Sequence, residues 1–254
     1  MTRALILDCD GVLADTELDG HLVAFNRVFD ELGLGFQWSA DEYGELLRVG
    51  GGKERFKAYL GEHPEFAPAD SAELDALVAD VHQRKSAAYV EIMGSGSVPG
   101  RPGVRRLIAE ALDAGWVVAV ASTSALGSVE AVLDTVIGAD LRSRLAGVFA
   151  GDVVPAKKPA PDIYLLTLDT LGLAKDEAVV IEDSWGGAQA AAAAGLAHIV
   201  TVSHFTADDD FPAATSVVSH LGEAGAPSTT LRGADLTRAD GTITVASLEA
   251  ALAA

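Results

Sequence analysis

Four carboxylates in two short stretches are the residues of this chain best suited to chemistry. Asp8 and Asp10 lie in Asp8-Cys9-Asp10-Gly11-Val12-Leu13, and Glu182 and Asp183 open Glu182-Asp183-Ser184. Each stretch follows an apolar run, Ala4-Leu5-Ile6-Leu7 in the first case and Ala178-Val179-Val180-Ile181 in the second. Short apolar runs closed by polar residues and glycine read as buried strands of a parallel sheet. Side chains alternate along a strand, so Asp8 and Asp10 point one way and Cys9 the other. Like charges side by side are costly unless a cation or a reaction uses them. Strand carboxyl ends in open α/β sheets are ligand sites, and acid pairs on two such ends suit Mg2+, an oxygen-seeking ion.

The elements that must position these acids follow from where strand-helix alternation breaks and resumes. After the first strand come two helical stretches with no strand between them. In one, Leu18, Leu22, Phe25, Phe29 and Leu32 recur at helical spacing and stop at Gly33. In the other, Asp70 or Ser71 caps a helix carrying Leu74, Leu77, Val78 and Val81, and Lys85 continues the same track. That lysine either snorkels outward or points its ammonium into a cleft. Residues 16–94 thus form an all-helical insertion, left through a Gly-Ser and Pro-Gly hinge near 94–100.

From residue 104 alternation resumes: a helix over 104–114, a strand over 116–121, a helix from about 128 and a short strand near 147–150. Pro159 and Pro161 open a further helix, followed by a strand over 178–182, a helix over 188–194 and a strand over 197–202. This order predicts an α/β core, a doubly wound Rossmann-like parallel sheet, built from residues 1–15 and 95–254. The tail after 220 is turn-rich, with a short helix at 247–253 and no functional signal.

Composition narrows the partners. The formal charge of -19 argues against nucleic acid and anionic membranes. No apolar stretch approaches a membrane span or the core of a signal peptide, which implies a cytoplasmic protein. The single cysteine, Cys9, allows no internal disulfide and packs beneath the sheet. With no long exposed apolar stripe, a monomer is expected.

A phosphorylated substrate would be repelled by so acidic a chain without a metal and a local basic patch. Residues 48–57 supply one: Arg48, Lys53, Arg55 and Lys57 against Glu54, with a run of glycines ahead of Lys53. It is not a phosphate-binding P-loop, because position 47 is Leu where Gly is required and 54 is Glu where Ser or Thr is required. The alternatives are a solvated flexible loop and an anion-binding loop; the acidity of the rest favours the second.

Asp8-x-Asp10-Gly11-Val12-Leu13-x-Asp15-Thr16, Ser122, Lys158-Pro159 and Glu182-Asp183-Ser184 resemble the four ordered motifs of the haloacid dehalogenase-like phosphohydrolases. The insertion after the first motif is similar to their small helical cap, shared with the β-phosphoglucomutase branch. Asp15-Thr16-Glu17-x-Asp19-Gly20-His21, Gly51-Gly52-Lys53-Glu54-Arg55 and Thr206-Ala207-Asp208-x-Asp210-Phe211 resemble segments of the CbbY-type sugar-bisphosphate phosphatases. The resemblance implies a Mg2+-dependent phosphatase acting on a sugar phosphate or bisphosphate, with xylulose 1,5-bisphosphate as the suggested substrate.

It also implies roles. Asp8 is the nucleophile and Asp10 the general acid and base, with Asp8, the Asp10 carbonyl and Asp183 on the metal and Glu182 nearby or bonded to it through water. Ser122 and Lys158 cradle the phosphoryl group, with Lys157 an alternative to Lys158 and with Thr123 and Ser124 secondary. In the cap, Lys53, Arg55, Lys85 and Arg48 clamp a second phosphate. Glu17 and His21 meet sugar hydroxyls, unless His21 only stabilises the cap. A phosphosugar mutase shares the core motifs and stands as the alternative, followed by a non-catalytic sugar-phosphate sensor.

Overall fold

The computed structural model describes residues 2–254. By compactness the chain divides into two units, one made of the stretch up to Asp15 with Pro99–Ala254, the other of Thr16–Val98.

The first unit is an α/β layer structure. Among the described residues its strands are β1 (Ala4–Leu7), β2 (Val117–Ser122), β3 (Gly147–Ala150), β4 (Ala178–Glu182), β5 (Ala197–Thr201), β6 (Ser216–Val218) and β7 (Thr230–Gly233). They form one sheet in the order β3-β2-β1-β4-β5-β6-β7, parallel throughout except for β7, which runs antiparallel to β6. The order reverses beside β1, so β1 and β4 are neighbours, with Leu7 paired to Ile181. That switch point is where a doubly wound sheet opens a crevice beyond its strand ends. β1 and β4 are buried along their whole length, as expected of strands covered on both faces.

In sequence order the helices of this unit are Val104–Asp113, Leu126–Val136, Gly138–Arg142, Asp162–Leu171, Trp185–Ala193 and Val245–Leu252. Ile163, Tyr164 and Leu168 of Asp162–Leu171 pack with Ala190 and Ala191 of Trp185–Ala193 against Ile6, Ala121 and Val180. Cys9 is buried. Two strands go beyond those expected, β6 ahead of the turn-rich tail and β7 within it. β6 is only three residues long, and β7 is a polar edge strand, so neither shows a period-two pattern.

The second unit is helical. Glu17–Leu22 wind as a π-helix that runs into α1 (Val23–Leu32), which ends on Gly33 at φ 63°. Then come α2 (Ala40–Leu46), α3 (Gly52–Glu62) and α4 (Ser71–Gly94). Asp70 caps α4, its carboxylate accepting from the backbone of Ala72 and Glu73. α2 and α3 correct the expectation of two helical stretches. The basic segment is likewise no loop from Gly52 on, because Lys53, Arg55 and Lys57 lie in α3. Its glycines conceal the helix, whose buried face is confined to Arg55, Phe56, Tyr59 and Leu60.

Aromatic rings make this unit's core. Phe29 touches Phe25, Phe36, Trp38 and Phe56 with ring centroids 4.8–5.7 Å apart. Phe29→Ala is therefore expected to cost about 3–5 kcal/mol of the unit's stability. Urea unfolding followed at Trp38, with Trp116 and Trp185 replaced by phenylalanine, reads that loss. An unshifted midpoint would show that these rings are not the core.

Candidate active site

The site begins where β1 runs out. The Asp8 amide still bonds to the Ile181 carbonyl at 3.0 Å, so its side chain is held at the β1–β4 seam. The chain then turns tightly: the amide of Leu13 reaches the Cys9 carbonyl at 2.8 Å, and that of Gly11 the Ala14 carbonyl at 2.9 Å. Gly11 has φ 74°, and a Cβ there would run into the Asp183 side chain. A glycine is what lets the turn after Asp10 pass so close to the second acidic stretch.

Lys158 ties the two stretches together. Its ammonium donates to Asp8 Oδ1 at 2.6 Å, to Glu182 Oε1 at 2.6 Å and to the Ala121 carbonyl at 3.0 Å. Lys157 instead pairs with Asp152 at 3.1 Å, so the structure brings Lys158, not its neighbour, to the acids. Glu182 Oε2 accepts the Asp183 amide at 3.1 Å, and Ser184 caps the helix Trp185–Ala193 by accepting from the Gly187 amide at 3.1 Å. The Asp10 carboxylate accepts the Ser124 hydroxyl. The Ser122 hydroxyl is buried at the end of β2 and accepts the Ser124 amide at 3.2 Å. Thr123 is half-buried between them.

Carboxylate oxygens of Asp8, Glu182 and Asp183 all lie within 4.8 Å of one another, and all three residues are buried. Burial pushes Asp8 up to about 8, with Glu182 and Asp10 adding to the rise and Lys158 opposing it. Burial also drives Asp183 well above the usual carboxylate range, reinforced by Glu182 and Asp8. Lys158 is held well above the ordinary lysine value: its burial works against the charge, but Asp8 and Glu182 outweigh that. Two of the three buried carboxylates, Asp8 and Glu182, thus share one directly bonded ammonium. The donor set is all oxygen and its charge is in excess, so it fits a divalent cation, which would offset that excess.

Three supporting residues carry no signal in the four motifs. Arg101 bonds the carbonyls of Gly11, Thr201 (3.1 Å), Val202 (2.5 Å) and Ser219 (2.9 Å), pinning the turn after β1 to the ends of β5 and β6. The Ser203 hydroxyl eases the upward push on the Asp183 carboxyl. It also lies 3.0 Å from the Thr206 hydroxyl, which accepts the Ser203 amide at 2.9 Å. Tyr164 donates its hydroxyl to Glu182 Oε1. An Arg ahead of Pro-Gly and a Ser closing a strand are common enough that only tertiary contact reveals their use.

The helical unit gathers its predicted residues into two clusters. Glu17 Oε2 accepts the Tyr43 hydroxyl at 2.5 Å, and Arg55 donates to that hydroxyl at 2.7 Å and to the Leu46 carbonyl at 3.2 Å. Arg55 stands 3.8 Å from Glu17 and is buried. In the second cluster Lys85 donates to His21 Nδ1 at 2.5 Å, and His21 stacks on Tyr89 with centroids 4.1 Å apart. Lys85 is buried over the rings of Phe25 and Tyr89, so it does not snorkel outward. Lys53 is half-buried in the first turn of α3. Arg48 is not brought to either cluster: its side chain is 80% exposed and paired with Glu45.

The chain matches the haloacid dehalogenase-like hydrolase family over residues 2–195. It belongs to that family. It is 46% identical over 225 residues to a CBBY-like protein of Arabidopsis thaliana, covering 88% of this chain and 70% of the relative. To the plasmid protein CbbY of Cupriavidus necator it is 44% identical over 226 residues, 89% of this chain and 88% of that one. Among solved structures it resembles a mutant of CbbY from Rhodobacter sphaeroides in complex with xylulose-(1,5)bisphosphate. The TM-score is 0.79 at 40% identity, over 89% of this chain and 99% of the other. This haloacid dehalogenase-like hydrolase is thus of the CbbY type, a phosphatase acting on phosphate esters. Among the described residues no helix is long and apolar enough to cross a membrane.

Glu182 is packed so closely that a Cβ on Gly187 would overlap its carboxylate. Gly187→Ala must displace Glu182, and with it Lys158. Misplacement of about 1 Å in such a site costs on the order of 10²-fold. The expected outcome is a loss of that size in kcat for an aryl phosphate; near-wild-type turnover would show that Glu182 tolerates movement.

Proposed function

We propose that this phosphatase removes one phosphate from a ketose bisphosphate, xylulose 1,5-bisphosphate or a close relative, through an aspartyl-phosphate on Asp8. The observation that carries the reading is the Lys158 ammonium set 2.6 Å from both Asp8 and Glu182 amid buried acids. Asp8 attacks phosphorus with a carboxylate oxygen, which splits one hard displacement into two easier ones. Asp10 gives a proton to the leaving sugar oxygen and later takes one from the hydrolytic water. Its hydrogen bond from Ser124 supports that role by orienting the carboxyl. Lys158 and Ser122, with backbone N–H groups at the end of β2, hold the phosphoryl oxygens as charge builds.

In this reading Asp8, Asp183, the Asp10 carbonyl and Glu182, directly or through water, hold Mg2+. When bound, that ion offsets the repulsion between the nucleophile and the incoming phosphate. The helical unit acts as a specificity cap. Arg55 and Lys85, with Lys53, grip the distal phosphate, while Glu17 and His21 meet sugar hydroxyls. Tyr43 supports the assignment by linking Glu17 to Arg55, so that acceptor and cation are held as a pair. Support for the substrate comes from the likeness to the xylulose-(1,5)bisphosphate complex.

Phosphate release from matched sugar mono- and bisphosphates, with chelator and with added Mg2+, tests the reading. Mg2+-dependent preference for the ketose bisphosphate is expected. Indiscriminate release would discard the substrate, and transfer of the phosphoryl group to a second sugar hydroxyl would mark a mutase. Arg55→Ala should raise KM for the bisphosphate by about 10-fold or more, the worth of a charge-assisted contact, and leave KM for an aryl phosphate little changed. Equal effects on the two substrates would remove Arg55 from distal-phosphate binding.

A further inference from the structure

Tyr164 is fully buried in the helix Asp162–Leu171, two residues after the Pro-Asp pair that opens it. Its ring packs into the core with Ile163, Ala121 and Val180, which packing alone would explain. Its hydroxyl goes further, donating to Glu182 Oε1, the same oxygen that accepts Lys158. The ring face lies 4.8 Å below the Lys158 ammonium. All three donor positions of that ammonium are taken, by Asp8, Glu182 and the Ala121 carbonyl.

Two carboxylates therefore compete for one ammonium, and the structure shows it shared evenly, at 2.6 Å to each. Even sharing needs the two acceptors to be matched. Glu182 is the more deeply buried, with a fully covered side chain against 11% exposure for Asp8. In a poorly solvated setting it would be the stronger competitor. A phenol donating to Glu182 draws off part of that charge, and the Asp183 amide on the other oxygen draws off more.

We infer that Tyr164 is a positioning residue: by donating to Glu182 it keeps Lys158 shared with Asp8, within reach of the phosphoryl group. The inference rests on the aspartyl-phosphate reading for its effect on turnover, but not for its effect on Lys158 itself. Tyr164→Phe keeps the ring and the packing and removes only the donor.

The test pairs steady-state hydrolysis of p-nitrophenyl phosphate with the side-chain 15N resonance of Lys158 in lysine-labelled protein. That resonance is assigned by its loss in Lys158→Arg. The expected result in Tyr164→Phe is a kcat about 10-fold lower, the size of one hydrogen bond to a charged group, with KM held within about twofold. The Lys158 resonance should shift while the melting temperature stays put. Unchanged kcat, a rise in KM alone, or an unmoved resonance would each overturn the inference. If the unaltered protein released no phosphate, the functional reading would fall, and Tyr164 would stand or fall on the resonance.

Discussion

Everything in the core unit is arranged around the cost of putting three carboxylates where water is scarce. Asp8, Glu182 and Asp183 are buried within a few ångströms of one another, and burial beside like charges holds Asp8 and Asp183 above the usual carboxylate range. One lysine, bonded to two of them, is the chain's own answer. It leaves negative charge in excess, so the site is chemically incomplete in a useful sense. Such a set of oxygens suits a divalent cation, which when bound would in turn accept a phosphate dianion. A protein with a net charge of -19 thereby makes one spot hospitable to an anion.

The sheet makes this arrangement possible. β1 and β4 are adjacent only because the strand order reverses at β1, and their register sets Leu7 against Ile181 so that both acidic stretches emerge together. β2 on the other side of β1 delivers Ser122 and the Ala121 carbonyl to the same edge. Close approach is then limited by side-chain volume. Gly11 and Gly187 are the two places where a methyl group would strike Asp183 and Glu182. Around them Arg101, Ser203 and Tyr164 hold carbonyls and carboxylates in place, each from a different element.

The helical unit solves a different problem with the opposite chemistry. Its core is aromatic, and its buried cations are stabilised by rings and hydroxyls. Lys85 sits over Phe25 and Tyr89 beside a histidine, and Arg55 over Tyr43. Cation–ring contacts of this kind are worth more when desolvated. They let positive charge persist away from bulk water in an acidic protein.

The motif residues, the strands that carry them and the α/β class were legible in the sequence because their signals are local. A buried parallel strand is an unbroken apolar run, and acids at its end are adjacent in the chain. The same locality explains what was not legible. β6 and β7 are too short or too polar to show a period, and α2 and α3 hide behind glycines and charges, with one buried residue in α2 and four in α3. The basic segment reads as an exposed patch, yet the structure turns Arg55 inward to Tyr43 and leaves Arg48 in solvent, a difference that helix phase and packing impose. Sequence alone determined which groups are present for the chemistry. Only tertiary structure decided which of them touch, because Lys158, Tyr164 and Arg101 reach their partners across up to 150 residues of chain, and no local pattern records such a contact.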